Sequence, residues 1–386
     1  MSSLGGPSIV TSGLVLHLDA ANVKSFKGEP TVNLVAGGGL VGMSGITLAL
    51  ISTDGVWKKY SMSGTFSGGT YPYIMYVTTN LFTGGLPYST KCTILTNALY
   101  KFNYFGTGIN YVNQPMTNNG VMLSIMNSDD SRTVSRSGFI YTSTTSQTGY
   151  LLTNPINGIG FSPSTDFVWI KDLQVEQLSY TTPYVNGTRG TSVETGGGLA
   201  DRSGSGNNAQ ILNGPTYNSL NGGSIVFDGT NDYISIPNNT LLNSNSTPFT
   251  VEICIKLPSS VPAASQYLYT KLNNSFVLYL YNNLLYMGKD IVNDWATVSI
   301  TSYLSKVLHI TAGWDGTNKF CYFNGVSVVN SIQSTNLIQS TVNNLYIGGI
   351  GTVSFNGSVY FVRNYSRALS TTEVLQNYDA TKSRFI

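Results

Sequence analysis

Apolar and polar residues alternate with a period of two over many short runs of this chain. Leu14, Leu16 and Leu18 share one face of LVLHLD, and His17 falls on the other. Ile225 and Phe227 alternate with Val226 and Asp228, and the pattern resumes at Tyr233-Ile234-Ser235-Ile236. Phe249, Val251, Ile253 and Ile255 share one face of FTVEICIK, and Lys306–Trp314 and the stretch around Lys319–Phe323 read the same way. Such alternation marks half-buried strands. Between the two runs of Gly222–Ile236 lies Asp228-Gly229-Thr230-Asn231-Asp232. Gly tolerates positive φ and Asx side chains bond their own backbone, so this stretch predicts a hairpin with a polar tip.

From Asn33 to Arg189 the chain changes character. Short strand-like runs, among them ITLALIS, YPYIMYV and Phe167-Val168-Trp169-Ile170, recur at roughly ten-residue spacing between Gly, Asn and Pro, which predicts a jelly-roll sandwich. Near the end, Ser370-Thr-Thr-Glu373 forms a capping box, and Val374, Leu375 and Tyr378 follow at helical spacing for docking. The expected fold class is all-β: two β-sandwich (jelly-roll) domains, one inserted in the other, with a short C-terminal helix.

Composition sharpens this picture. At 386 residues the chain is long enough for two or three domains. Only 10% of residues are charged, against 41 Gly and 25 Tyr, which favours sheet over helix and argues against disorder. The net charge of +2, with no Lys/Arg cluster, provides no footprint for nucleic acid. No run approaches the roughly 20 apolar residues of a membrane span. The first residues lack a basic region followed by an apolar core, so no signal peptide is expected. Cys92, Cys254 and Cys321 are too few and too scattered for a disulfide framework or a zinc site, and suit folding in a reducing cytosol.

The strings PSIVTSGLVLHLDAAN, GGSIVFDGTNDYISI, NLYIGG and FNGSVY, with the ending RNYSRALSTTEVLQNYDATKSRF, together resemble the laminin-G-like, concanavalin A-type sandwiches of tailed-phage structural proteins. In that pattern the opening runs almost directly into a DLSGNGNNG-type stretch. Here the matching text is Asp201–Asn208. The resemblance therefore implies an insertion: residues 1–32 supply the first strand or strands of the sandwich, 33–190 the insert, and 191–386 the remainder. A Gly-rich joint, ETGGGL, marks the return. The insert closes on WIKDLQVEQLSYTTPYVNGTR, which resembles galactose-binding-like, carbohydrate-binding jelly rolls, although its opening NLVAGGG replaces the usual polar loop with glycines.

What the resemblance implies is a virion structural protein, made in the host cytoplasm: a decoration, fibre or adhesin component. Its partners would be other virion proteins, sister subunits and a host-surface glycan, with neither nucleic acid nor membrane insertion. Residues Met1–Pro7 are expected near a docking surface. The alternatives are a secreted bacterial carbohydrate-binding protein and a glycan-degrading enzyme.

An enzyme on this fold needs two carboxylates across a cleft, and laminarinase-type relatives space them Glu-x-Asp-x-Glu on one strand. The nearest strand here carries Glu252 alone. Asp129-Asp130 sits in a polar turn and Asp172…Glu176 in a structural strand, while His17 and His309 lie in apolar strand contexts. Catalysis is not expected. A rim calcium, as laminin-G-like domains often carry, could be held by Asp228 and Asp232; the other reading is that both acids cap their own turn. For sugar stacking the candidates are Trp57, Tyr71 and Tyr73, beside Tyr60 and Tyr76; against them stands the tendency of aromatics at alternate positions to be core.

Overall fold

A computed structural model describes residues 7–385 except 29–30, 33–38, 44, 55–56, 66–72, 83–86, 106–123, 126–136, 143–146, 156–158, 177–187, 194–196, 244–246, 272–274, 290–293, 334–341 and 352. The chain divides into two compact units, one made of 1–30 with 190–386 and the other of 31–189.

The first unit is a sandwich of an eight-stranded and a seven-stranded sheet, all pairs antiparallel. The long strand Asn356–Tyr365 organises the larger sheet. Phe249–Lys256 runs along one of its edges. The other edge is shared end to end: Ser224–Asp228 pairs with Asn356–Val359 and Leu14–Asp19 pairs with Phe361–Tyr365. The opening strand and a strand lying beyond the insert thus form one line. The Asp201 loop covers the free side of that opening strand. His17 N donates to Asp201 Oδ1 (2.9 Å), Asn207 Nδ2 donates to the Val15 carbonyl (2.6 Å), and Arg202 N donates to the His17 carbonyl (2.8 Å). Text widely separated in sequence is adjacent in space.

The hairpin expected over Gly222–Ile236 does not form. Ser224–Asp228 belongs to the eight-stranded sheet and Tyr233–Ile236 to the seven-stranded one. The turn between them crosses from sheet to sheet. Ile225 and Phe227 face the core from one side, Ile234 and Ile236 from the other, and all four are buried. Alternation reports that a strand is half-buried and is silent on which strand it pairs with.

The two inner faces meet in a core. Phe249 of the larger sheet packs edge-on against Phe276 of the smaller, with ring centroids 4.9 Å apart. Gly348, at φ +79°, leaves space for the Phe227 ring, which any Cβ there would overlap. The larger sheet is also closed on its outer side, so Phe249–Ile255 are buried on both faces. The cover is the C-terminal helix Thr371–Asp379 with the segment around Val10, which join Phe320, Tyr322, Tyr365 and Leu369 in one apolar cluster. The capping box is complete: Ser370 accepts from Glu373 N, and Glu373 accepts from Ser370 N. Val374 and Asn377 turn inward, whereas Leu375, expected to dock, is 47% exposed. One position after Val374, it lies about 100° round the helix.

The second unit pairs a seven-stranded sheet, containing Trp57–Thr65, Pro87–Thr96 and Phe167–Glu176, with a four-stranded sheet containing Tyr73–Phe82 and Gln147–Pro155. Its two ends pair with each other, Thr31–Val32 against Thr188–Arg189. Arg189 and Glu176 form an ion pair at 3.5 Å, each side chain 1% exposed.

Candidate functional site

Strand direction decides which side chains reach the surface of the sandwich. In Phe276–Tyr281 the residues Phe276, Leu278 and Leu280 point into the core, so Val277, Tyr279 and Tyr281 lie on the outer side, where Val277 is buried and the two tyrosines reach the surface. The neighbouring Leu284–Lys289 places Leu285 and Met287 inward and Tyr286 outward, directly opposite Tyr279. On the other side Tyr267, in the Gln266–Thr270 strand, pairs directly with Tyr279, and a register shift follows before Tyr269, which turns into the core. The result is an aromatic cluster on the outer face of the seven-stranded sheet.

Its geometry is stepped rather than flat. Tyr279 and Tyr286 stack at 4.8 Å with 16° between their planes. Trp295 meets Tyr279 at 5.3 Å and 87°, and Tyr281 meets Tyr286 at 6.1 Å and 86°. Tyr267 lies 5.8 Å from Tyr279. Trp295 sits over the backbone of Gly288, where a Cβ would come within 2.9 Å of its ring; a side chain at Gly288 would displace the tryptophan. Tyr281 is 36% exposed, and Tyr267, Tyr279, Tyr286 and Trp295 are half-buried. Burial, with the neighbouring tyrosines Tyr286, Tyr267 and Tyr281, pushes the Tyr279 hydroxyl up to about 12, so it stays protonated and able to donate. Thr297 and Ser299, both exposed, add hydroxyls on the edge strand. Such a surface offers rings for stacking and hydroxyls for hydrogen bonding, with its polar groups fixed by a sheet.

The sequence alone did not single out these residues, though a signal was there. In FVLYLY and LLYMGK, Tyr279, Tyr281 and Tyr286 fall on one parity and Leu278, Leu280, Leu285 and Met287 on the other, so an inward face built from the latter implies an outward tyrosine face.

Of Trp57, Tyr71 and Tyr73, proposed from sequence for sugar binding, the structure describes the side chain of Trp57 alone. Trp57, taken above as a sugar platform, is 8% exposed and packs with Leu95 and Trp169, with the Lys171 ammonium 4.8 Å from its ring centroid. A stacking platform needs an open ring face, and Trp57 presents none. Tyr71 lies outside the described residues. Tyr73 opens the strand Tyr73–Phe82, and its side chain is outside them too. Asp228 and Asp232 both serve their own turn: Thr230 N donates to Asp228 Oδ1 (2.7 Å) and Asp228 N to Asp232 Oδ2 (3.0 Å). Burial raises the Asp232 carboxyl above the usual carboxylate range. Among the described residues no three His, Cys, Asp or Glu side chains gather where they could hold a metal ion.

Glu252 is wholly buried. It accepts from Arg363 Nη1 (3.1 Å), from Asn377 Nδ2 (3.0 and 3.1 Å) and from Thr311 Oγ1 (3.4 Å), and His309 Nε2 is 3.7 Å away. Asn377 also accepts from Val10 N (2.7 Å), and Tyr365 donates to the Val10 carbonyl (3.1 Å). This network fastens the segment at Val10 and the C-terminal helix to the outer face of the larger sheet. A carboxylate so enclosed has no path to a substrate. His309 is held neutral, its pKa lowered to about 4 by burial. Cys254 and Cys321 are buried free thiols, pushed up by burial. Cys92 lies in the Pro87–Thr96 strand, its side chain outside the described residues. No helix among the described residues is long and apolar enough to cross a membrane.

Comparison with known proteins places the sandwich. Solved structures similar to part of the chain include the botulinum neurotoxin serotype G binding domain (18% identity, TM-score 0.39, covering 47% of this chain and 48% of that one). Others are the serotype D ligand binding domain in complex with N-acetylneuraminic acid (15%, 0.40, 47% and 48%) and the binding domain of Paraclostridial Mosquitocidal Protein 1 (18%, 0.40, 47% and 49%). The chain thus spans about half the length of each, with 48%, 48% and 49% of those chains covered. No curated protein matches the sequence. Residues 228–375 match the laminin G family model described as the concanavalin A-like lectin/glucanases superfamily, and the two-sheet unit that contains them has the concanavalin A-like lectin fold.

Proposed function

We propose that this chain is a glycan-binding structural protein of a tailed-phage particle, acting by adhesion and not by hydrolysis. The observation that carries the binding reading is the outward Tyr267–Tyr279–Tyr286–Trp295 cluster with Tyr281 beside it, on the one sheet face of the sandwich that the C-terminal helix does not cover. Aromatic rings flanked by fixed hydroxyls suit the mixed apolar and polar surface of a sugar. The lectin-type fold supports the reading, and the enclosure of Glu252 speaks against a catalytic role for that acid. The particle setting is supported by the phage-type strings at both ends of the sandwich.

Two measurements test this. Saccharide binding by the purified full chain is expected to be lost in Trp295→Ala and Tyr281→Ala, with the circular dichroism spectrum retained; binding unchanged in both variants refutes the site. Mass spectrometry of purified particles is expected to find the chain, and its absence refutes the virion assignment. Release of reducing sugar by the pure protein, abolished in Glu252→Gln, would overturn the non-enzymatic reading.

A further inference from the structure

We infer that the ligand of the tyrosine face is an uncharged saccharide chain several sugars long, lying across the strands and held without a metal ion. The inference rests on the glycan-binding reading above and narrows it to one class of ligand.

Charge comes first. Among the described residues, the outward positions from Tyr267 across to Thr297 and Ser299 carry no Lys, Arg, Asp or Glu. Among the described residues, the ionic groups nearest in sequence are spoken for or turned away. Asp294, beside Trp295, is held at 2.5 Å by Lys319. Lys289 is paired with the core residue Phe276 and is 8% exposed. Recognition of an acidic sugar calls for Arg or Lys at the contact, and this face supplies neither. A bound divalent cation needs several oxygens from carboxylates or carbonyls; the side chains here offer hydroxyls and rings.

Extent comes second. Tyr267, Tyr279 and Tyr286 sit on three adjacent strands, and the Trp295 ring, 5.3 Å from Tyr279 and 6.4 Å from Tyr286, stands beside that row. Neighbouring strands are about 4.8 Å apart, so the row spans roughly 10 Å, more than one sugar ring covers. The near-perpendicular settings of Trp295 and Tyr281 against the stacked pair divide the surface into separate contact positions along that row. A chain that engages several of them gains affinity with each added residue, whereas a terminal sugar reaches one. The Tyr279 hydroxyl, pushed up to about 12 by burial, stays protonated and uncharged at neutral pH.

The test uses the full chain and calorimetric titration with cellohexaose, maltohexaose and chitohexaose, their disaccharides, and the acidic hyaluronan hexasaccharide and oligosialic acid. Each is measured with and without EDTA, in roughly 0.1 and 0.5 M NaCl. A neutral hexasaccharide is expected to bind at least about tenfold more tightly than its disaccharide. EDTA and salt should leave that affinity within about twofold, and Trp295→Ala and Tyr281→Ala should each weaken it by at least about tenfold. Preferential, salt-sensitive binding of an acidic chain that Trp295→Ala abolishes overturns the uncharged assignment and leaves the face as the glycan site. Equal affinity for disaccharide and hexasaccharide overturns the extended mode, and loss of binding in EDTA overturns the metal-free one. Saccharide binding indifferent to both aromatic variants, or none at all across the panel, overturns this inference together with the reading it rests on.

Discussion

Glu252 shows how one residue type can mean two things. In sequence it is a lone acid on the strand closest to a paired-carboxylate pattern, and in the structure it is the hub of a sealed network with Arg363, Asn377 and Thr311. Removing its charge while keeping its shape isolates the electrostatics. Glu252→Gln leaves the Arg363 guanidinium buried without its counter-charge, and breaking a buried pair this way costs about 3–5 kcal/mol. Urea unfolding should show that loss, and an unchanged midpoint would mean the pair contributes nothing. His309 makes a second, independent test. Both of its ring nitrogens lack hydrogen-bond partners, and it sits between Phe361 and Tyr378. Its folded pKa of about 4 lies below the ordinary imidazole value of 6.5, chiefly through burial, with Glu252 opposing and Arg363 lowering it further. Between those values the unfolded chain binds more protons than the folded one. Stability therefore falls as pH drops from 6.5 toward 4. His17, lowered likewise to about 4, adds to the same slope. In His309→Phe the decline of melting temperature over that window should be visibly shallower; a decline as steep as the parent's would remove His309 from the account. Neither role was legible in sequence, because enclosure by the helix and the segment at Val10 is set by tertiary packing.

Elements were legible where a local rule fixes them and misread where pairing is remote. The capping box at Ser370 and Glu373 was visible as text and forms as expected, and Arg367 strengthens it with a two-pronged contact to Glu373 at 2.9 and 2.6 Å. That contact, ahead of the Ser370 bonds, holds the Glu373 carboxyl at about 2. Ser370→Ala should cost about 1 kcal/mol of stability, read as a fall in the urea midpoint; Thr381→Ala, beyond the helix, serves as the comparison. The stretch around Asp228 shows the opposite case. Its turn chemistry was legible down to the Asx bond at Thr230, yet its two strands join different sheets, because Phe227 and Ile234 each complete a separate inner face. Trp57 fails for a related reason. An aromatic at an alternating position can face either way, and only the burial of Trp169 and Leu95 beside it decides. The tyrosine face was overlooked although the parity in FVLYLY encodes it, since parity becomes informative once the inward side is known.

At the scale of the whole molecule, the interrupted sandwich follows from how little the insertion disturbs. The strands Leu14–Asp19 and Ser224–Asp228 share one edge of Asn356–Tyr365, and the intervening unit begins and ends on paired strands, Thr31–Val32 with Thr188–Arg189. A folded insert whose ends are neighbours adds little closure entropy, since even a flexible loop costs only about 0.6 kcal/mol per doubling of its length. The opening strand, in contrast, contributes substantially. Val15, Leu16 and Leu18 are 6%, 0% and 3% exposed, and burying three such side chains stabilises by roughly 5–9 kcal/mol, comparable with the whole stability of a typical domain, about 5–15 kcal/mol. Residues 190–386 expressed alone would leave the Phe361–Tyr365 edge uncovered and Asp201 and Asn207 without their backbone partners in the first strand. That fragment should unfold at markedly lower urea concentration than the full chain and regain stability when a peptide of residues 7–25 is added. Joining residue 30 to residue 190 through a short Gly-Ser linker should restore a single cooperative transition in the absence of residues 31–189, which should themselves unfold cooperatively as an isolated chain. If 190–386 is as stable alone as in the linked form, and the peptide leaves its midpoint unmoved, the first strand is ornamental to the sandwich and the two units do not divide as the strand pairing requires.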